Sequence, residues 1–299
     1  MGPGTGAARM YPVGRNANRK SWPGWKNVGM RILVACDKFK GSLSAAEACA
    51  ALMEGLRIGG VSGSSEACPI ADGGEGFVEA MIAALHGEWR ECPSVDALGR
   101  PITGAYGICR SGEDKIALIE MAAASGLELI PEGERNIMEA STAGTGKLIR
   151  HATQVGKADM ILIGIGGSAT NDGGVGMAAA LGIAFRDRRG WELRPVPADM
   201  GAVAEVCEGG RMSLPRMEVA CDVENPLLGP QGATAVYGPQ KGAGPAEQEK
   251  LEQFLTALVE ASAGEEIAVQ PGAGAAGGLG FGLMRFAGAR LRPGFEMVA

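Results

Sequence analysis

The chain has 299 residues, 46% of them hydrophobic and 21% charged, with a formal net charge of −6. That composition supports a substantial core, in one large domain or two smaller ones. It argues against a general nucleic-acid binder, because phosphate backbones need a basic face, and no apolar run approaches the ~20 residues that cross a bilayer.

The seven cysteines, at 36, 49, 68, 92, 109, 207 and 221, form no CxxC. They read as small apolar core residues in a reducing, cytoplasmic compartment. His86 and His151 are the only histidines, which makes Ser-His-Asp and His-metal chemistries poor fits. His86 follows a helical stretch and reads as a cap; His151 reads as structural.

Residues 1–29 are rich in Gly, Pro, Arg and Asn, without periodicity. They read as a disordered or non-native extension, with an Arg-rich targeting arm as the competing reading. From Arg31, short apolar runs alternate with Ala/Leu-rich helical stretches, which predicts an α/β fold around a mostly parallel sheet. Strands are expected at 31–36, 66–71, 116–120, 160–165, 182–185, 217–221 and 233–237. Helices are expected at 44–57, 75–85, 141–152, 173–181 and 246–262, and 186–216 is expected to be a surface excursion. Ser44 and Glu47 have capping-box spacing, which starts the first helix near Ala45.

Acids recur where strands should end. Asp37 is followed by Lys38, Lys40, Gly41 and Ser42; Asp72 by Gly73, Gly74 and Glu75. Glu120 closes "IALIE", Asp172 follows "MILIGIGGSATN", and Asp222 precedes Glu224 and Asn225. A single acid in a βα turn is weak evidence, because turns favour Asp for local hydrogen bonding. Gathered on one rim, these acids could hold Mg²⁺ and supply a base for a substrate hydroxyl. "STAGTGKLIRHA" resembles a Walker A loop but fails it, with Ser141 at the first glycine and Leu148 at the Ser/Thr. It is either a capped helix start or a phosphate-binding helix N-terminus offering the N–H groups of Thr142, Gly144, Thr145 and Gly146.

A dinucleotide reading competes. Gly164, Gly166 and Ala169 satisfy G-x-G-x-x-G/A after a strand, and Asp187 lies about twenty residues on, where a ribose-binding acid is expected. That reading implies an NAD(P)-dependent oxidoreductase. Against it, Ser168, Thr170, Asn171 and Asp172 put a polar, anionic cluster where pyrophosphate would sit. A metal and phosphate rim accommodates that cluster better.

The segments "VACDKFKGSLSA", "PIADGGEG", "IEMAAASGL", "GTGKLIRHA", "GIGGSATNDGGVGMA", "VACDVENPLLGPQGA", "GPQKGA" and "PGAGAAGGLG" occur in this order. Together they resemble the type I glycerate kinase (bacterial glycerate 2-kinase) family, from Met30 onward. The resemblance implies ATP-dependent phosphorylation of D-glycerate to 2-phosphoglycerate with Mg²⁺, no nucleic-acid or membrane partner, and a two-lobed α/β fold. One Rossmann-like parallel-sheet lobe would comprise 30–90 and 270–299, with a second α/β lobe, 91–269, inserted between. Family members continue past the position of Ala299 with an "ITGEGR…D…QT…GK"-like segment, so the expectation is a chain lacking the C-terminal part, active or an inactive remnant.

On this reading the triphosphate rests on N–H groups around Gly166, Gly167 and Ser168 and around Gly173 and Gly174, with Lys40 or Lys241; Thr170 and Asn171 are further substrate- or nucleotide-binding candidates. Asp172 and Asp222 are the candidates for Mg²⁺, and Asp37 or Asp72 for the proton of the glycerate hydroxyl. Lys38 or Lys40 would pair with the glycerate carboxylate. Ser42, Gly73, Gly74, Glu75, Glu120, Thr145 and Asn225 complete the candidate binding residues.

Overall fold

The structure is a computed structural model that describes residues 30–37, 39, 42–70, 76–294 and 297. Two elements come first as a small unit: β1 (Arg31–Cys36) and β2 (Ser64–Pro69) pair in parallel across the helix α1 (Ala45–Ile58). The Ser44–Glu47 capping box forms as the spacing predicts, satisfying orphan N–H groups at the start of α1.

The larger unit starts at α2 (Phe77–Leu85), which ends on His86 in the left-handed region (φ 50°). It continues through β3 (Glu88–Val95), β4 (Pro101–Ser111), β5 (Asp114–Glu120), α3 (Ala122–Ser125), α4 (Ala143–Gln154) and β6 (Met160–Gly164). There follow α5 (Val175–Ala180), β7 (Ala184–Arg186), α6 (Pro197–Met200), β8 (Glu205–Cys207) and β9 (Arg216–Ala220). The last elements are α7 (Ala233–Tyr237), α8 (Pro245–Ser262), α9 (Glu265–Ala268), α10 (Ala275–Ala287) and β10 (Arg290–Arg292). Six strands form one sheet in the order β10-β9-β6-β5-β4-β3, parallel from β10 to β5 and antiparallel at β5-β4-β3.

Strand alternation explains why the central strands read as unbroken apolar runs. Ile116, Leu118, Met160 and Leu162 pack with Phe77, Val78 and Met81 of α2 on one face. Ala117, Ile119, Ile161 and Ile163 pack with Leu148 and Ile149 of α4 on the other. Two glycines of β4 set how closely these helices approach. A Cβ on Gly107 would lie 2.9 Å from Ile82 of α2, and one on Gly104 2.8 Å from Leu148 of α4. Helix α8 buries Leu251, Phe254, Leu255, Leu258 and Val259 at helical spacing, in a second cluster with Phe185, Phe281 and Phe286.

Three expectations need correction. Residues 233–237 form helix α7, not a strand: Val236 N donates to Gly232 O and Gly238 N to Thr234 O, closing helical turns, and β10 occupies the place beside β9. The segment 186–216 is not a surface excursion only, since Met200 and Val203 belong to the second core cluster and β8 pairs with β7. The acids do not share one sheet rim. Asp37 follows β1 of the two-stranded sheet, while Glu120 ends β5 and Asp222 follows β9 of the six-stranded one. In addition, α10 packs against α5 and α7, and β10 pairs with β9, so 275–292 associates with the six-stranded sheet.

Candidate active site

At the carboxyl ends of β6 and β9 lies a cavity of about 330 Å³. This is where parallel sheets place ligands, because strands diverge there and the following loops are free to shape a crevice. Its walls come from five segments: Leu127 after α3, Ile165–Ser168 after β6, Ala220–Val223 at the end of β9, Tyr237 with Gln240 and Lys241, and Ala275–Ala276 at the start of α10.

The loop after β6 is held by its neighbours while leaving donors over. Leu127 N donates to Gly167 O, and Ala169 N to Ser125 O. Among the described residues, the N–H groups of Gly166, Gly167 and Ser168 have no partner. Gly167 adopts φ 74°, a conformation that turns successive N–H groups toward a common point and that a side chain would strain. Three consecutive donors lining a cavity make a seat for an oxyanion.

Lys241 supplies the cation. It sits in the 3-10 turn Pro239–Lys241, is only 3% exposed, and donates from Nζ to Ser168 Oγ and to Thr170 O, each at 2.6 Å. Burial pushes its pKa down to about 7, against a smaller upward pull from the Asp172 charge. Asp222 is the carboxylate in the cavity wall, and its Oδ1 accepts from Gly294 N at 2.8 Å.

Asp172 lies behind the wall and is fully buried. Its Oδ2 accepts from Thr142 N (2.7 Å), Thr142 Oγ1 (2.7 Å) and Gly176 N (3.1 Å), and its Oδ1 from Gly174 N (3.0 Å). Burial raises its pKa, while these four donors pull the other way. With every oxygen engaged, Asp172 does not fit a metal ligand. Asp222, facing the cavity, does fit one of the few carboxylates that Mg²⁺ takes beside phosphate oxygens and water. Among the described residues no group of three or more His, Cys, Asp or Glu is gathered for a metal.

The remaining candidates divide clearly. Gly166, Gly167, Ser168, Asp222 and Lys241 meet at the cavity. Thr170, Asn171 and Gly173 lie just behind it: Thr170 O receives Lys241, Asn171 Nδ2 donates to Thr234 Oγ1 (3.0 Å), and Gly173 N donates to Gly277 O. Asn225 braces the rim by accepting from Tyr237 O–H at 2.7 Å. Glu120 accepts from Val78 N (2.9 Å), which fastens it to the start of α2.

The α4 N-terminus is not an open phosphate site. Gly144, Thr145 and Gly146 are buried, Thr145 Oγ1 contacts Ser125 Oγ at 2.9 Å, and the anion held there is Asp172. Asp37 and Ser42 are exposed in the small unit, where Ser42 N donates to Phe39 O. Lys38, Lys40, Gly41, Asp72, Gly73, Gly74 and Glu75 lie outside the described residues.

Sequence reasoning missed Cys221, Tyr237, Gln240, Ala275 and Ala276. The available signal was the small-residue run "GAGAAGG". Ala276, Gly277 and Gly278 all adopt positive φ, and a Cβ on Gly277 would lie 1.9 Å from Thr170 O. Only small residues let this turn close against the loop after β6.

The dinucleotide arrangement is not made. No helix follows β6 directly, since α5 begins only at Val175. Asp187 accepts from Arg189 N and Trp191 N within its own exposed turn, and β7 pairs with β8 outside the large sheet. His151 is structural as expected, with Nδ1 at 3.0 Å from Tyr106 Oη. Among the described residues no helix is long and apolar enough to cross a membrane.

Residues 32–299 match the family described as the glycerate kinase family. The chain is 43% identical over 276 residues to a glycerate kinase of Halalkalibacterium halodurans, covering 89% of this chain and 71% of that protein. It is 43% identical over 275 residues to the glycerate 2-kinase of Escherichia coli K12, covering 90% and 71%. A crystal structure from Salmonella typhimurium LT2 assigned as a glycerate kinase 2 superposes with a TM-score of 0.81 at 43% identity, covering 90% of this chain and 74% of that one. Sequence and fold converge over the same span, and the chain belongs to the glycerate kinase family.

Proposed function

We propose that this chain is a kinase that transfers the γ-phosphoryl group of ATP to the 2-hydroxyl of D-glycerate, giving 2-phosphoglycerate. The observation that carries the reading is the row of unpartnered N–H donors at Gly166–Ser168 in the wall of a cavity that Lys241 also lines, within a chain of this family. Phosphoryl transfer asks the protein for positioning and charge neutralisation more than for covalent chemistry.

In this reading the glycine loop after β6 and Lys241 receive the phosphates, and Tyr237, Val223 and Ala276 form the less polar wall. Asp222 would hold Mg²⁺, which neutralises charge on the transferring phosphate when bound. Asp37 or Asp72 would accept the hydroxyl proton, and Lys38 or Lys40 would pair with the glycerate carboxylate. The seven free cysteines suit a reducing, cytoplasmic setting.

The test is ADP release coupled to D-glycerate, with the product identified by ³¹P NMR. One 2-phosphoglycerate per ADP supports the reading; phosphorylation at the 3-hydroxyl corrects its regiochemistry, and ADP release indifferent to D-glycerate defeats it.

A further inference from the structure

Lys241 carries a buried amine with no ion-pair partner among the described residues. Its two hydrogen-bond acceptors, Ser168 Oγ and Thr170 O, are neutral groups. Among the described residues no carboxylate forms a salt bridge with it. Asp172 acts on it only through space, because that carboxylate is already engaged by Thr142, Gly174 and Gly176. Burial strips the amine of water, and no paired carboxylate offsets the cost of charging it.

An ammonium in that position is costly until an anion arrives, and the cavity beside it is built for one. We propose that Lys241 is neutral when the cavity is empty and takes up one proton from solvent as a phosphate-bearing ligand enters. The chemistry is R–NH₂ plus H⁺ giving R–NH₃⁺, with the buffer as proton source and no covalent change. The seat would thus be charged by its ligand rather than standing charged, and it would discriminate by anionic charge: a neutral ligand could not bring the proton in. The proposal rests on the kinase reading only for the identity of the anion.

The pKa of about 7 agrees with this arrangement. The other titratable groups around the cavity are Asp172, Asp222, Cys221 and Tyr237. Burial holds both the Cys221 thiol and the Tyr237 phenol above their ordinary values, so neither takes up a proton in mildly alkaline solution. Asp222 is addressed by substitution.

The experiment is calorimetric titration with ADP and excess MgCl₂, which offers phosphates but no group to transfer. Titrations at about pH 8.5 in buffers of different ionisation enthalpy count the protons exchanged. Close to one proton taken up per ADP is expected, with Kd weakening about tenfold per pH unit above about 7. Lys241→Arg, whose guanidinium stays charged, should bind without uptake and with a flat pH profile. Ser168→Ala and Asp222→Asn keep the lysine and should keep the uptake. ADP binding to the wild-type chain with no proton exchange overturns the proposal, and so does undiminished uptake in Lys241→Arg. The wild-type result stands even where a variant fails to fold. Glycerate-dependent ADP release, measured in parallel, separates the two readings. Proton uptake without turnover leaves this inference standing and counts against the kinase; turnover without uptake does the reverse.

Discussion

Thr142 binds Asp172 twice: its backbone N–H and its hydroxyl both donate to Oδ2, each at 2.7 Å. The same hydroxyl accepts from Met177 N at 2.9 Å, so one buried threonine joins the start of α4 to the start of α5 through an internal anion. Helix N-termini attract negative charge. Here the chain supplies that charge itself, through Asp172.

Asp172 is therefore expected to matter to folding before chemistry. Asp172→Asn places an NH₂ among four donors and should cost roughly 2–4 kcal/mol of unfolding free energy in urea melts, as for any buried acceptor turned donor. Any folded fraction should keep the Mg²⁺ dependence of the parent, and a lost Mg²⁺ response at unchanged stability would refute this role.

The turn at Ala276–Gly278 makes a second expectation. Gly277 has φ +69°, and a Cβ there would lie 1.9 Å from Thr170 O. Gly277→Ala should destabilise by about 3 kcal/mol or more and disturb the cavity wall. Gly133 has nothing within 4 Å of its Cβ position. Gly133→Ala is the control and should unfold at the parental urea midpoint.

Lys241 imposes a pH dependence on the unliganded protein. Its folded-state pKa of about 7 lies below its ordinary 10.5, so between those values the unfolded chain binds more protons. Stability from this group is fully present above about 10.5 and is lost as pH falls from there to about 7, with a slope of at most about 1.4 kcal/mol per pH unit. Lys241→Met should flatten that rise in chemical denaturation curves taken across the window. An unaltered slope in the variant would assign the effect to another group.

The strand-end glycines should not bind a dinucleotide. Titration of NADH is expected to give no saturable change in its fluorescence, because the helix that would seat the pyrophosphate does not follow β6. Saturable binding competed by NAD⁺ would revive the oxidoreductase reading.

Much of this was legible in the chain, for identifiable reasons. Strands β5 and β6 stand out because both faces of the sheet are covered, leaving every residue of Met160–Gly164 buried. The β3–β4 hairpin does not, since "EWRECPSV" is mostly exposed and β4 carries glycines where helices approach. Gly166–Ser168 and Lys241 were visible as glycine-loop and cation candidates. Asp172 reads as a metal candidate because an acid after a strand looks alike in sequence whether it faces a cavity or, as here, accepts from the donors of Thr142, Gly174 and Gly176. Ala275 and Ala276 escaped notice because a wall made of small residues carries no chemical signature, only the need for close approach.

The central claim is that the cavity at the end of β6 transfers phosphate from ATP to D-glycerate. It is tested most directly by D-glycerate-dependent ADP release in the parent chain beside Lys241→Met and Asp222→Ala. The parent should give 2-phosphoglycerate in step with ADP, and each variant a fall in kcat/KM of roughly a hundredfold or more, the scale of losing a charge that stabilises transfer. Undiminished turnover in both variants, or none in a folded parent supplied with ATP, Mg²⁺ and D-glycerate, would contradict it.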